Sequence, residues 1–288
     1  MENRNYRKIL SHRVRGFGNI ENSLLSFEKA CSSAVPYLEV DTRASLDREI
    51  YISHNPVMKS HNKGRYKFKE TESSILNKLR YPDGEPPLTL KDALELFRKR
   101  KYTYQKLCID IKDYGFEKEH IEMIQKACLE DNVYFVSWIP QTLMLLYELG
   151  ARIPLILSHW NIIKLGAMGS FISEVMGEKI IRFSSFVIIG EKSFSKPLGN
   201  LEQGFQHTLI CQRLPEDILD ILLSTKGGIC IHRSMLGDKV LEYCRMNNLR
   251  LWIFSVDKVK DYVRYASNKF IDVIFCENAN FILNALRK

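Results

Sequence analysis

"KLCIDIKDYGFEKEHIEMIQKACLEDNVYFVSW", residues 106–138, contains the smallest complete unit of the fold. Leu107–Ile111 is a short, almost continuously apolar run, as expected of a strand buried on both faces. Lys118–Leu129 reads as a helical segment, and Val133–Ser137 is a second short apolar run. Strand, helix, strand is the βαβ unit, which requires a parallel sheet.

The same alternation extends in both directions. Further strand candidates are Lys8–Ser11, Leu38–Asp41, Ile153–Leu157, Gly228–Ile231, Arg250–Ser255 and Asp272–Cys276. Helical segments lie between them at Leu24–Ser33, Leu90–Lys99, Gln141–Leu149, Gly237–Asn247 and Asp257–Ser267. In "PLTLKDALELF" the apolar residues fall at 90, 93, 94 and 97, one face of a helix. Eight strands alternating with helices predict an α/β fold of the (β/α)8 barrel type rather than an open doubly wound sheet. No G-x-G-x-x-G follows a strand, which weakens a dinucleotide-binding reading. The expectation is one barrel domain over residues 1–288. Two departures interrupt it: a basic, Ser/Lys-rich insertion around 56–87, and a longer excursion around 160–225 holding a strand pair, "IIRFSSFVII" and "FQHTLICQ".

Composition narrows the class. Apolar residues make up 45% of the chain, enough for a large core. Lys and Arg number 42 against 34 Asp and Glu, a formal charge of +8, which suits an anionic ligand without naming one. The seven cysteines are scattered with no CxxC pair, arguing against a disulfide framework or zinc ribbon and for a reducing compartment. The start of the chain carries no apolar signal segment, and no uncharged run reaches the ~20 residues of a membrane span. A cytoplasmic protein with no integral membrane segment is expected. "HNKGRYKFK" is basic with interleaved aromatics, yet reads as a solvated loop rather than a nucleic-acid stripe. The sequence leaves the oligomeric state open, a homo-oligomer included.

In a barrel of this kind the strand C-termini build the active site. The first strand ends at His12-Arg13. The second holds Glu39-x-Asp41, whose alternation points both carboxylates to one side of the sheet. "EIYIS" ends at His54-Asn55, and the third barrel strand carries Asp110-x-Lys112. Glu39, Asp41 and Asp110 are hard oxygen donors suited to Mg²⁺ or Ca²⁺. His12 and His54 fit an acid/base pair, while Arg13 and Lys112 fit anion contacts. Taken singly, each has a plainer explanation: a hydrogen-bonded histidine, or a strand of ion pairs. Their joint occurrence at successive strand ends favours phosphoryl-ester chemistry.

These residues resemble the signature of the glycerophosphodiester phosphodiesterase family. The matching positions are His12-Arg13, Glu21-Asn22-Ser23, Phe27, Glu39-x-Asp41, Ser45-x-Asp47 and His54-Asn55, followed by "PPLTLKDALELF" and "CIDIK". The resemblance spans nearly the whole chain, is most specific over 9–56, and is thin over 160–225. It implies a TIM barrel of the PLC-like phosphodiesterase type. It further implies metal-dependent hydrolysis of a small glycerophosphodiester to glycerol 3-phosphate and an alcohol. On this resemblance His12 and His54 are the acid/base pair, and Glu39, Asp41 and Asp110 hold one divalent cation, Mg²⁺ or Ca²⁺. Arg13 and Lys112 contact phosphate, and Glu21 and Asn22 support the pocket. Asp110 stands in place of the usual Glu, and Val14 in place of the Gly of H-R-G, where a tighter backbone approach is expected. A lysophospholipase D or sphingomyelinase D type of lipid phosphodiesterase, and a catalytically silent phosphate-binding barrel, are the alternatives.

Overall fold

The computed structural model describes residues 4–162, 180–182, 186–189, 208–211 and 214–287. The first strands in chain order are β1 (Ile9–Ser11), β2 (Tyr37–Ala44), β3 (Ile50–Ile52), β4 (Val57–Lys59) and β5 (Arg65–Lys67). β6 (Lys106–Ile111), β7 (Val133–Ser137), β8 (Leu155–Ser158), β9 (Trp160–Ile162) and β10 (Ile180–Arg182) follow. The last are β11 (Phe186–Ile189), β12 (Thr208–Cys211), β13 (Gly228–His232), β14 (Arg250–Phe254) and β15 (Val273–Cys276).

Eight of these form a closed parallel barrel in the order β1-β15-β14-β13-β8-β7-β6-β2, sealed by the pairing of β1 with β2. All eight correspond to expected strands, with ends shifted by at most three residues, the largest shift being the extension of β2 from Asp41 to Ala44. Helices expected over 24–33, 90–99, 118–129, 141–149, 237–247 and 257–267 occur at Leu24–Ser32, Leu90–Arg98, Glu117–Ala127, Pro140–Glu148, Asp238–Met246 and Val259–Ala266. Two more, Glu216–Ser224 and Ala279–Leu286, were not anticipated. Caps explain several of the starts. Ser23 accepts from the Ser26 amide, Thr89 from that of Asp92, and Asn278 from that of Phe281.

Strand parity divides the core in two. On β6, Leu107, Ile109 and Ile111 join the large cluster between strands and helices, whereas Cys108 faces the barrel interior. Leu10, Tyr134, Ile156, Cys230, Trp252 and Phe275 fill that interior with it. Trp252 is fully buried, its ring in edge contact with Tyr134 at 5.2 Å. This packed plug closes the barrel below, so interior-facing residues further along each strand open only toward the C-terminal end.

Both departures from the barrel rhythm carry strands. Residues 56–87 contain an antiparallel ribbon, β4 with β5, and a short helix at Ser73–Leu76. Part of "HNKGRYKFK", expected to be a solvated loop, is therefore strand: Tyr66 turns inward against Tyr51, Met58, Phe68, Leu76 and Leu79, a third apolar cluster. In the excursion, "IIRFSSFVII" is not one strand but two. β10 pairs antiparallel with β11, β12 lies parallel to β11, and β9 pairs with β12. The segment between β11 and β12, residues 190–207, lies outside the described residues.

Among the described residues no helix is long and apolar enough to cross a membrane, and six cysteines are unpaired thiols.

Candidate active site

The register of the barrel assembles the acidic cluster. β2 and β6 run side by side with Asp41 opposite Asp110, and Glu39 lies two positions earlier on the same face. One oxygen from each of Glu39, Asp41 and Asp110 lies within 4.8 Å of the others, and all three residues are buried. Lys112, again two residues beyond Asp110, turns its Nζ onto Asp110 Oδ2 and lies 2.9 Å from Asp41 Oδ1.

The electrostatics of this group are uneven. Burial, and then repulsion from Asp41 and Asp110, pushes Glu39 well above the usual carboxylate range. Burial also raises Asp110, against the opposing pull of Lys112. At Asp41 burial is overcome by Lys112, Arg13, His54 and His12, which hold it ionised. Burial lowers Lys112, but Asp110, Asp41 and Glu39 outweigh it and keep the ammonium charged.

A hard divalent cation fits this donor set. The oxygens come from three chain positions, and Asp110 Oδ1 is buried with no hydrogen-bond donor among the described residues. Glu39 and Asp110 are pushed toward the neutral acid partly by their neighbours' charge, a repulsion that a bound cation reverses.

The turn after β1 supplies the opposite wall. Its residues Arg13 and Val14 are left-handed, with φ of 54° and 48°. That conformation directs the Arg13 amide to donate to Glu39 Oε2 at 2.7 Å. It also sets the Arg13 guanidinium 3.2 Å from both Asp41 Oδ2 and Glu21 Oε1. Val14, where a tighter backbone approach was expected, instead keeps the left-handed geometry that glycine would adopt without strain, with its side chain fully buried. Gly16, at φ of 84°, packs against Asn278, whose Oδ1 lies 2.5 Å from where a Cβ would sit.

His12 faces the mouth, its Nδ1 2.7 Å from Glu277 Oε1. Arg15 bridges Glu277 and Glu21. Glu21 is thus spent on Arg13 and Arg15 rather than on the carboxylate cluster. Asn22 donates to Asp41 Oδ2 at 2.9 Å. Burial works against ionisation of Glu277, but the His12 hydrogen bond and the charges of His12 and Arg15 bring it down to about 2.

His54 follows β3 and is fastened through its backbone. Arg43, two residues past Asp41 on the same face of β2, donates from Nη2 to the His54 carbonyl at 3.0 Å and from Nη1 to Asp113 at 2.8 Å. Burial, together with Arg13, Lys112 and Arg43, lowers the imidazole to about 3 against the pull of Asp41. Sequence reasoning missed Arg43 and Asp113, whose pairing depends on the register of β2 against the loop after β6.

It also missed His159. This residue, just past β8, packs at a tilt against Phe254, ring centroids 4.6 Å apart, and shares a 2.8 Å hydrogen bond with Ser158 Oγ. Burial and then Lys112, His12 and Arg13 lower it to about 3. Its one available signal was its place immediately after an apolar run.

No protein-family model matches the sequence, and no sequence match to a curated protein was found. Solved structures do match. A glycerophosphodiester phosphodiesterase from Parabacteroides distasonis superposes with a TM-score of 0.64 at 14% identity, over 97% of this chain and 96% of that one. A phosphodiesterase from Oleispira antarctica, in complex with the product sn-glycerol-3-phosphate, gives 0.63 at 16%, over 98% and 97%. A glycerophosphodiester phosphodiesterase from Thermotoga maritima gives 0.60 at 17%, over 96% and 97%. The barrel fold is therefore shared with this group along nearly the whole chain, in agreement with the resemblance read from its motifs.

Proposed function

We propose that this chain hydrolyses glycerophosphodiesters to sn-glycerol 3-phosphate and an alcohol, using one divalent cation and a pair of histidines. The observation that carries this reading is the cluster of three buried carboxylates at the strand ends of the barrel, with the Arg13 guanidinium and the Lys112 ammonium both on Asp41. The fold shared with phosphodiesterases, one of them bound to sn-glycerol-3-phosphate, supports it.

Glu39, Asp41 and Asp110 would hold the cation, Mg²⁺ or Ca²⁺, which supplies Lewis acidity toward a phosphate oxygen. Arg13 and Lys112 add fixed positive charge where the phosphate charge grows in the transition state. Asn22 and the Arg13 amide hold Asp41 and Glu39 in place.

The two histidines differ in surroundings, and this divides their roles. His54, kept neutral by burial and by cationic neighbours, is ready to accept a proton from the attacking hydroxyl, whether of water or of the substrate's own glycerol. Glu277 Oε1 holds His12 through Nδ1, which leaves Nε2 to protonate the departing alkoxide.

The test is release of sn-glycerol 3-phosphate from glycerophosphodiesters in the presence of Mg²⁺ or Ca²⁺. His12→Ala and His54→Ala each lower turnover on the order of 100-fold or more. Near-normal rates in both variants overturn the assignment.

A further inference from the structure

Beside the carboxylate cluster lies a pocket of about 540 Å³ that the hydrolytic reading leaves unexplained. Its inner end is formed by Asn22 and His54, so it opens directly onto the proposed chemistry. Its wall includes Tyr81, raised to about 12 by burial and so an uncharged phenol. Its outer end is the β4–β5 ribbon, which contributes Lys59 and Arg65. The volume falls in the range of pockets for whole small ligands and far exceeds what a glycerol unit requires.

Lys59 and Arg65 are direct partners across the antiparallel ribbon, which sets their side chains on one face. Met58 and Tyr66 occupy the other face and fasten it to the third apolar cluster. Like charges placed opposite each other in a ribbon repel. Elsewhere on the ribbon the positive charge is answered: Lys67 pairs with Glu70 at 2.8 Å. Lys59 and Arg65 make no ion pair or side-chain hydrogen bond among the described residues. Glu21 is the one carboxylate among the described pocket residues, and Arg13 and Arg15 already engage it.

We propose that the alcohol arm of the diester lies in this pocket and carries an anionic group, a phosphomonoester or a carboxylate, held between Lys59 and Arg65. The inference rests on the hydrolytic reading and adds a substrate class to it. The favoured diesters have a second negative charge on the leaving alcohol. Arms ending in a quaternary ammonium meet two unanswered cations and are disfavoured.

Two matched pairs of substrates isolate the extra charge. Glycerophosphoinositol 4-phosphate differs from glycerophosphoinositol by a phosphomonoester, and glycerophosphoserine from glycerophosphoethanolamine by a carboxylate. The expected result is a preference of about tenfold in kcat/KM for the more anionic member, expressed mainly in KM. It shrinks as salt is raised from ~0.05 to ~0.5 M, because both cations are exposed. In the Lys59→Ala/Arg65→Ala double variant this ratio collapses toward one. A preference in one pair alone identifies the group as phosphomonoester or carboxylate. Equal turnover within both pairs, or a preference that survives in the double variant, overturns the inference. If no diester is turned over, the hydrolytic reading fails and calorimetric binding of the same pairs decides the pocket. Tighter binding of the anionic member, lost in the double variant, sustains its charge specificity, and equal binding removes it.

Discussion

His12 Nδ1 and Glu277 Oε1 stand 2.7 Å apart, joining the turn after the first barrel strand to the end of the last. The carboxylate fixes which ring nitrogen faces inward. Glu277→Gln is expected to lower kcat about tenfold or more with a smaller change in KM, and Glu277→Ala at least as much. Steady-state kinetics on one glycerophosphodiester checks this. A kcat within twofold of wild type removes Glu277 from the mechanism.

The carboxylate cluster predicts a cation response readable without turnover. Mg²⁺ or Ca²⁺ at 100 times its dissociation constant stabilises the folded chain by about 2.7 kcal/mol, seen as a rise in Tm. Glu39→Gln removes a carboxylate whose charge is disfavoured by burial and by repulsion from Asp41 and Asp110, so its cation-free Tm should equal or exceed that of wild type while the cation-induced rise is lost. A full rise in the variant argues against Glu39 as a ligand.

His120 gives the acid response of the fold a definite window. It is buried, lies 2.9 Å from Thr42 Oγ1 and 2.7 Å from the Phe116 carbonyl, and is lowered to about 4 by burial. The unfolded chain takes up this proton near 6.5, the folded chain only near 4. Between those values the unfolded state binds more protons, so stability falls as pH falls. His54 and His159, lowered to about 3, act in the same direction. Glu277 adds a loss of its own at lower pH, between the usual Glu range and about 2. Tm measured from pH 7 to pH 4.5 should decline in wild type and decline less in His120→Gln. Parallel curves would assign the acid response to other groups.

Val14 inverts an ordinary rule of cores. A buried valine cut back to glycine usually fares worse than one cut back to alanine, because glycine also adds backbone entropy to the unfolded chain. At φ of 48° both Val and Ala bear a left-handed cost of about 1–2 kcal/mol that Gly escapes. Val14→Gly should therefore be at least as stable as Val14→Ala by chemical denaturation. A clear deficit for glycine would contradict this.

The residues legible in the sequence are those whose geometry is local. Glu39 and Asp41 share a face because strands alternate, and Asp110 and Lys112 do so for the same reason. Placing both pairs at strand ends required only the βαβ rhythm. What escaped depends on contacts between distant segments. Arg43 reaches Asp113 and the His54 carbonyl only once β2 has its register, and Glu277 reaches His12 only when the barrel closes. The β4–β5 ribbon was hidden because its inward face offers little more than Met58 and Tyr66 amid Lys, Arg, Asn and Gly. The helices Glu216–Ser224 and Ala279–Leu286 begin where the strand–helix rhythm is hard to follow, one beside the long excursion and one directly after Glu277-Asn278.

Closure of the barrel by β1 against β15 also sets an order of events during synthesis. Glu39, Asp41, Asp110 and Lys112 emerge from the ribosome early and can meet as soon as β2 and β6 pair. The partner of His12 is made 265 residues after it. A nascent chain can therefore carry the whole acidic cluster while His12 still lacks its carboxylate partner, a pairing completed only when the final strand seats.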